Sequence, residues 1–113
     1  MDVKRGNIVI VDVGLGKGSE QSGNRPAVVI QNDVGNKFSH TTIVALITSK
    51  ETKANIPTHV PISKDCGLNH DSIIMAEQIR VIDSSRIMKI CNIKVPDNVM
   101  NKLNEAIRIS LNV

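Results

Sequence analysis

The sequence has 113 residues, 41% of them hydrophobic and 22% charged, with a formal net charge of +3. That is the size of one domain, too apolar for a disordered chain, and basic enough to permit a nucleic-acid partner without demanding one. Trp and Tyr are absent and Phe38 is the only aromatic residue, so Ile, Val, Leu and Met must fill the core.

The opening Met-Asp-Val-Lys-Arg-Gly leads into no apolar stretch of signal-peptide or membrane length, so a cytoplasmic protein without a membrane anchor is expected. Short apolar runs bounded by turn residues then recur. Residues 8–13 form the first, closed by Gly14, and 27–30 the second, opened by Pro26. Residues 43–47 form the third, and 58–62 alternate more weakly. The run 72–82 is long enough for one bent strand or two, and 87–95 is the last. Runs this short and this rich in Val and Ile are strands. The close spacing of the first three leaves no room for crossover helices, which favours antiparallel pairing into a small barrel or curled sheet.

Near the C-terminus the period changes. Val99, Met100, Leu103, Ala106, Ile107 and Leu111 recur at three and four residues, the mark of an amphipathic helix, with Asp97 behind Pro96 as its expected N-cap. There is no repeat, linker or low-complexity segment. The expectation is one α+β domain over residues 1–113, a small antiparallel barrel with a C-terminal helix.

Two polar loops, 14–24 and 49–57, are the natural places for binding. The first contains Gly14-Leu15-Gly16-Lys17-Gly18-Ser19, which fails as a phosphate loop: Gly18 separates Lys17 from Ser19, and a strand-like run follows instead of a helix. A zinc site from His59, Cys66, His70 and Cys91 lacks paired knuckle spacing. The plainer reading is Cys91 buried in the last strand, Cys66 in a loop, both reduced, and exposed histidines. No hydrolytic triad announces itself, and nothing local makes Glu20 and Glu77 an acid–base pair. Arg25 stands between the glycine-rich loop and a strand run, where a guanidinium can offer a phosphate two N–H groups at once. From position alone a surface salt bridge is the better explanation. Thr48 stands at the end of the third run, where a β-branched residue is at home for purely structural reasons.

Residues 18–30, Gly-Ser-Glu-Gln-Ser-Gly-Asn-Arg-Pro-Ala-Val-Val-Ile, resemble the signature of the MazF/PemK family of toxin endoribonucleases. The opening Lys4-Arg5-Gly6-Asn7-Ile8, the strand run 43–49 ending Thr48-Ser49, Pro57-Thr58-His59-Val60, and Glu77-Gln78-Ile79-Arg80-Val81-Ile82-Asp83 resemble other family segments in the same order. The resemblance implies an SH3-like barrel of the CcdB/PemK type with a C-terminal helix, usually a homodimer. It implies sequence-specific cleavage of single-stranded mRNA with no metal and no cofactor, leaving a 2′,3′-cyclic phosphate and a 5′-hydroxyl. A MazE-like antitoxin, expected to be acidic and partly disordered, would occupy the RNA groove, and the toxin–antitoxin complex would bind DNA. Carried over by position, the catalytic residues are Arg25 and Thr48. Ser19, Glu20 and Gln21 fall in the loop over the RNA, and His59 and Gln78 fall near the groove. Lys17, Lys50 and Lys53 are expected to meet phosphates, and Glu20 or His59 to act as base. Two other readings use the same fold: a gyrase poison like CcdB, disfavoured because this chain has no tail tryptophan, and a non-catalytic RNA-binding regulator.

Overall fold

The computed structural model describes residues 1–49 and 56–113. Lys50 and Lys53 lie outside the described residues. Six strands form one antiparallel sheet: β1 (Asn7–Asp12), β2 (Asn24–Val29), β3 (Thr41–Thr48), β4 (His59–Ile62), β5 (Ser72–Asp83) and β6 (Ile87–Lys94). Their order across the sheet is β4-β5-β3-β2-β1-β6. Two helices join them, α1 (Asp33–Phe38) and α2 (Asp97–Leu111).

Period-two alternation sorts the strand residues onto two faces, and both are buried. Ile8, Val28, Ala45, Ile47 and Ile74 pack against Met100, Leu103 and Ala106 of α2. Val9, Val11, Ala27, Val29, Val44 and Leu46 gather on the opposite face with Met75 and Ile82. No long helix covers this second face, so the sheet buries it by curling on itself. The ladder does not close; β4 and β6 are its two edges. The edges nevertheless approach each other. Gly67, at φ +105° in the turn before β5, lies so close to Ile93 of β6 that a Cβ there would drive into the Ile93 side chain.

The β3–β5 ladder contains the one large irregularity. Ala45 pairs with Ile79, but the next residue, Leu46, pairs with Met75. Residues 76–78 therefore stand outside the ladder as a bulge. This bulge is why the run 72–82 reads from sequence as either one bent strand or two.

Three local expectations need correction. β2 begins at Asn24, so Arg25 and Pro26 lie inside a strand and not before it. Pro26 stands opposite Ile10 in the middle of the β1–β2 ladder, and it is tolerated because the pairing with β3 begins only at Ala27, so no β3 acceptor is left waiting for its missing donor. Helix α2 starts behind Pro96, which makes no side-chain cap, and Asp97 is its first residue. Its carboxylate there favours the positive end of the helix dipole. Helix α1 was missed altogether. Its signal was Asn32, whose side chain accepts from the Gly35 amide, but Gly35 and Asn36 are weak helix formers and mask the pattern.

Candidate active site

Arg25 and Thr48 enter the site from neighbouring strands. Val11 pairs with Arg25 across β1 and β2, Ala27 with Leu46 across β2 and β3, and Thr48 with Ile73 across β3 and β5. The β2–β3 pairing ends at Ala27–Leu46, so Arg25 and Thr48 each stand two residues beyond its last pair. By alternation Val11, Arg25, Thr48 and Ile73 belong to the face that carries Ala27 and Leu46. A guanidinium and a hydroxyl on one face of neighbouring strands are the groups that could bind the oxygens of one phosphate.

The two groups differ in exposure. Thr48 is 4% exposed, while Arg25 is half-buried and donates from Nε to the Ser22 carbonyl at 3.0 Å. That bond ties the guanidinium to the end of the 13–23 loop and leaves its two terminal nitrogens to point elsewhere. Arg25 also borders a cavity of about 670 Å³ between β6 and the turn before β5, which opens on the other face of the sheet beside Ile8, Ile10 and Ile47 and is not lined by Thr48. Ser49, His70, Lys89 and Asn92 line it beside Arg25. Among the described residues its wall holds two cationic side chains and no carboxylate, which suits an anion. Lys89 was not singled out from the sequence, and His70 only as a zinc candidate. Lys89 comes beside Arg25 because it pairs with Ile10 of β1, which pairs in turn with Pro26, and His70 comes there in the turn before β5.

The loop before Arg25 folds on itself. The Glu20 carboxylate accepts from the Lys17 amide at 2.7 Å, the Glu20 amide donates to the Lys17 carbonyl, and the Gly23 amide donates to the Gly14 carbonyl at 2.8 Å. Gly16 permits this, because the carbonyl oxygens of Glu20 and Gln21 lie 2.6 and 2.7 Å from where a Cβ would stand. Lys17, Ser19 and Glu20 are exposed and Gln21 is half-buried.

His59 and Gln78 sit farther along the sheet. His59 pairs with Met75, two residues from the Pro61–Ile73 pair that continues the Thr48–Ile73 pair into β4. Its side chain is only 5% exposed, against the expectation of an exposed histidine, and its Nε2 lies 2.6 Å from the Glu77 carboxylate. Burial opposes ionisation of Glu77. Hydrogen bonds from His59, from its own amide and from Thr58 outweigh that cost and hold the carboxyl below its ordinary 4.5. Gln78 is half-buried in the β5 bulge. Cys66 and Cys91 are free thiols, both half-buried, so Cys91 is less enclosed than expected. Among the described residues no three His, Cys, Asp or Glu side chains gather where a metal could be held. No helix among them is long and apolar enough to cross a membrane.

With this geometry in place, comparison with known proteins is informative. The sequence profile of the PemK-like, MazF-like toxin of type II toxin-antitoxin systems matches residues 4–111. The chain is 50% identical over 113 residues to endoribonuclease EndoA of Bacillus subtilis, covering 98% of this chain and 96% of that one. It is 47% identical over 110 residues to endoribonuclease MazF of Staphylococcus saprophyticus, covering 96% and 91%. Among solved structures, MazF from Deinococcus radiodurans superposes with a TM-score of 0.83 at 19% identity, over 98% of this chain and 97% of that one. A mycobacterial endoribonuclease in complex with its cognate antitoxin superposes with a TM-score of 0.81 at 21% identity, over 98% and 96%.

Proposed function

The chain belongs to the family of PemK-like, MazF-like toxins of type II toxin-antitoxin systems, and from that premise we propose that Arg25 and Thr48 act as one phosphate site for cutting single-stranded RNA. The protein is a toxin endoribonuclease, and residues 1–113 act as one toxin domain. What supports the site is that Arg25 and Thr48 each stand two residues beyond the Ala27–Leu46 pair that ends the β2–β3 ladder, on the face that pair occupies.

The chemistry follows from that placement. The ribose 2′-oxygen attacks the adjacent phosphorus in line with the departing 5′-oxygen. The new P–O2′ bond forms as the P–O5′ bond breaks, giving a cyclic phosphate and a 5′-hydroxyl. Negative charge grows on the non-bridging oxygens, where the Arg25 guanidinium and the Thr48 hydroxyl donate hydrogen bonds. Burial of Thr48 strengthens its contribution, because a donor in a water-poor site needs no reorganisation as charge develops. The 2′-hydroxyl proton passes to Glu20, because His59 Nε2 is engaged by the Glu77 carboxylate at 2.6 Å, and solvent water supplies the proton that the leaving 5′-oxygen takes up. The nucleophile belongs to the substrate, so positioning supplies much of the rate. Lys17 from the loop and Lys89 from the cavity wall meet flanking phosphates, while Ser19, Gln21 and Gln78 meet base edges.

The working unit is a cytoplasmic homodimer, in which exposed apolar side chains such as Met88, Ile90 and Leu111 find cover. The partner is an antitoxin, as a mycobacterial endoribonuclease of the same fold is found with its cognate antitoxin; an acidic peptide would suit the cationic wall and compete there with RNA. The gyrase-poison reading finds no support in relatives named endoribonuclease. The test is incubation with a long single-stranded RNA in EDTA, followed by mapping of the ends. Cleavage at a recurring short motif is expected from the wild type and not from Arg25→Ala or Thr48→Val. Wild-type rates in both variants would overturn the site.

A further inference from the structure

We propose that Glu77 is a positioning residue, which clamps the β5 bulge and so sets where Gln78 meets the RNA. The inference rests on the ribonuclease reading and concerns how that site recognises its substrate.

Residues 76–78 are outside the β3 ladder, since pairing passes from Ala45–Ile79 directly to Leu46–Met75. A bulge without ladder bonds keeps a single shape only if other groups hold it. Here β4 does so from the other side. The Ala76 amide donates to the Thr58 carbonyl at 2.8 Å. The Thr58 hydroxyl donates to one Glu77 carboxylate oxygen at 3.0 Å, and His59 Nε2 lies 2.6 Å from the other. The His59 ring is 5% exposed and the Glu77 side chain 40%, so a buried ring anchors a carboxylate at the surface. One carboxylate thus joins His59 of β4 and Thr58 just before it to the middle of the bulge.

Gln78 follows directly. It is the last residue of the bulge, half-buried, directly before Ile79, where pairing with β3 resumes at Ala45. A glutamine amide presents a donor and an acceptor together, the combination that reads a splayed base edge. A small shift of the bulge would misplace that amide while leaving Arg25 and Thr48 untouched. The clamp therefore governs which bases are accepted rather than how fast a well-placed phosphodiester is cut.

The experiment is a double-mutant cycle on the full chain, with kcat, KM and the distribution of cleavage sites on a long RNA as readouts. Glu77→Ala and Gln78→Ala should each raise KM about tenfold, the scale of one lost hydrogen bond. Both should broaden the cleavage motif in the same way and leave kcat within about twofold. The double variant should be no worse than Gln78→Ala alone, because the two act through one contact. Thr58→Val and Glu77→Gln, which loosen the clamp without removing its bulk, should give intermediate shifts, and they decide the question if Glu77→Ala does not fold. Additive losses, or an unchanged motif in every clamp variant, would overturn the inference while leaving the ribonuclease reading intact. A wild type that cuts no RNA would overturn both.

Discussion

The rungs around Arg25 and Thr48 and the loop that precedes them are built on opposite terms. Ala27 and Leu46, two residues inward from Arg25 and Thr48, are fully buried, and Val11 and Ile73 stand opposite Arg25 and Thr48 in neighbouring ladders. The 14–23 loop spends its hydrogen bonds on itself, through Glu20 to Lys17 and Gly23 to Gly14, and leaves Leu15 wholly exposed. On the proposed mechanism, the groups that meet a developing charge are fixed by the sheet, while the loop residues that meet bases are attached only at the loop's two ends. The contrast would then place the chemical step in the rigid region and part of recognition in the adjustable one.

The largest expected effect falls on the rigid side. Arg25→Ala should lower kcat about 10²–10³-fold, on the order of 3–4 kcal/mol of transition-state stabilisation, with thermal stability nearly unchanged. Thr48→Val should cost about a hundredfold by the same reasoning. A loss confined to KM in either variant would break the contrast. Gly67→Ala tests the frame that supports it. The residue has φ +105° and a Cβ would enter Ile93, so unfolding by denaturant should show a loss of about 2 kcal/mol. Cleavage well below the melting midpoint should survive, because Arg25 and Thr48 lie in other ladders.

Smaller effects belong to the loop and the clamp. Gly16→Ala places a methyl against the Glu20 and Gln21 carbonyls and should unfold the loop's own turn. Its signature is a several-fold rise in KM, with stability altered by less than about 0.5 kcal/mol because the loop contacts little else. The smallest is a pH effect. Folding lowers the Glu77 pKa below 4.5, so its contribution to stability is present above that value and is lost as pH falls through the lower folded value. The gap in melting midpoint between wild type and Glu77→Gln should be open at neutral pH and close in that acid range. A gap that persists unchanged into strong acid would remove ionised Glu77 from the clamp.

How much of this was legible in the sequence depends on range. The strands and α2 were visible because alternation and three-to-four spacing are local properties of Ile, Val and Leu. Arg25 and Thr48 could be singled out by family resemblance, but their place on one face beyond the end of the β2–β3 ladder depends on the register, which no local pattern prints. Lys89 reaches the cavity through its pairing with Ile10, a long-range partner, and His70, legible only as a zinc candidate, lines the same cavity from the turn before β5. The β5 bulge left an ambiguous run instead of a clear one, and the burial of His59 was hidden because its carboxylate partner stands eighteen residues away. Helix α1 failed for a different reason: its cap at Asn32 was sound, but Gly35 and Asn36 contradict the propensity that a six-residue helix would need.

The most direct test is a crystal structure of the protein with a short RNA whose attacking 2′-hydroxyl is replaced by hydrogen, so that the scissile phosphate persists. One phosphate should lie within about 3 Å of both the Arg25 guanidinium and the Thr48 hydroxyl of the same protomer. A scissile phosphate bound by one of them with the other turned away would contradict the shared site.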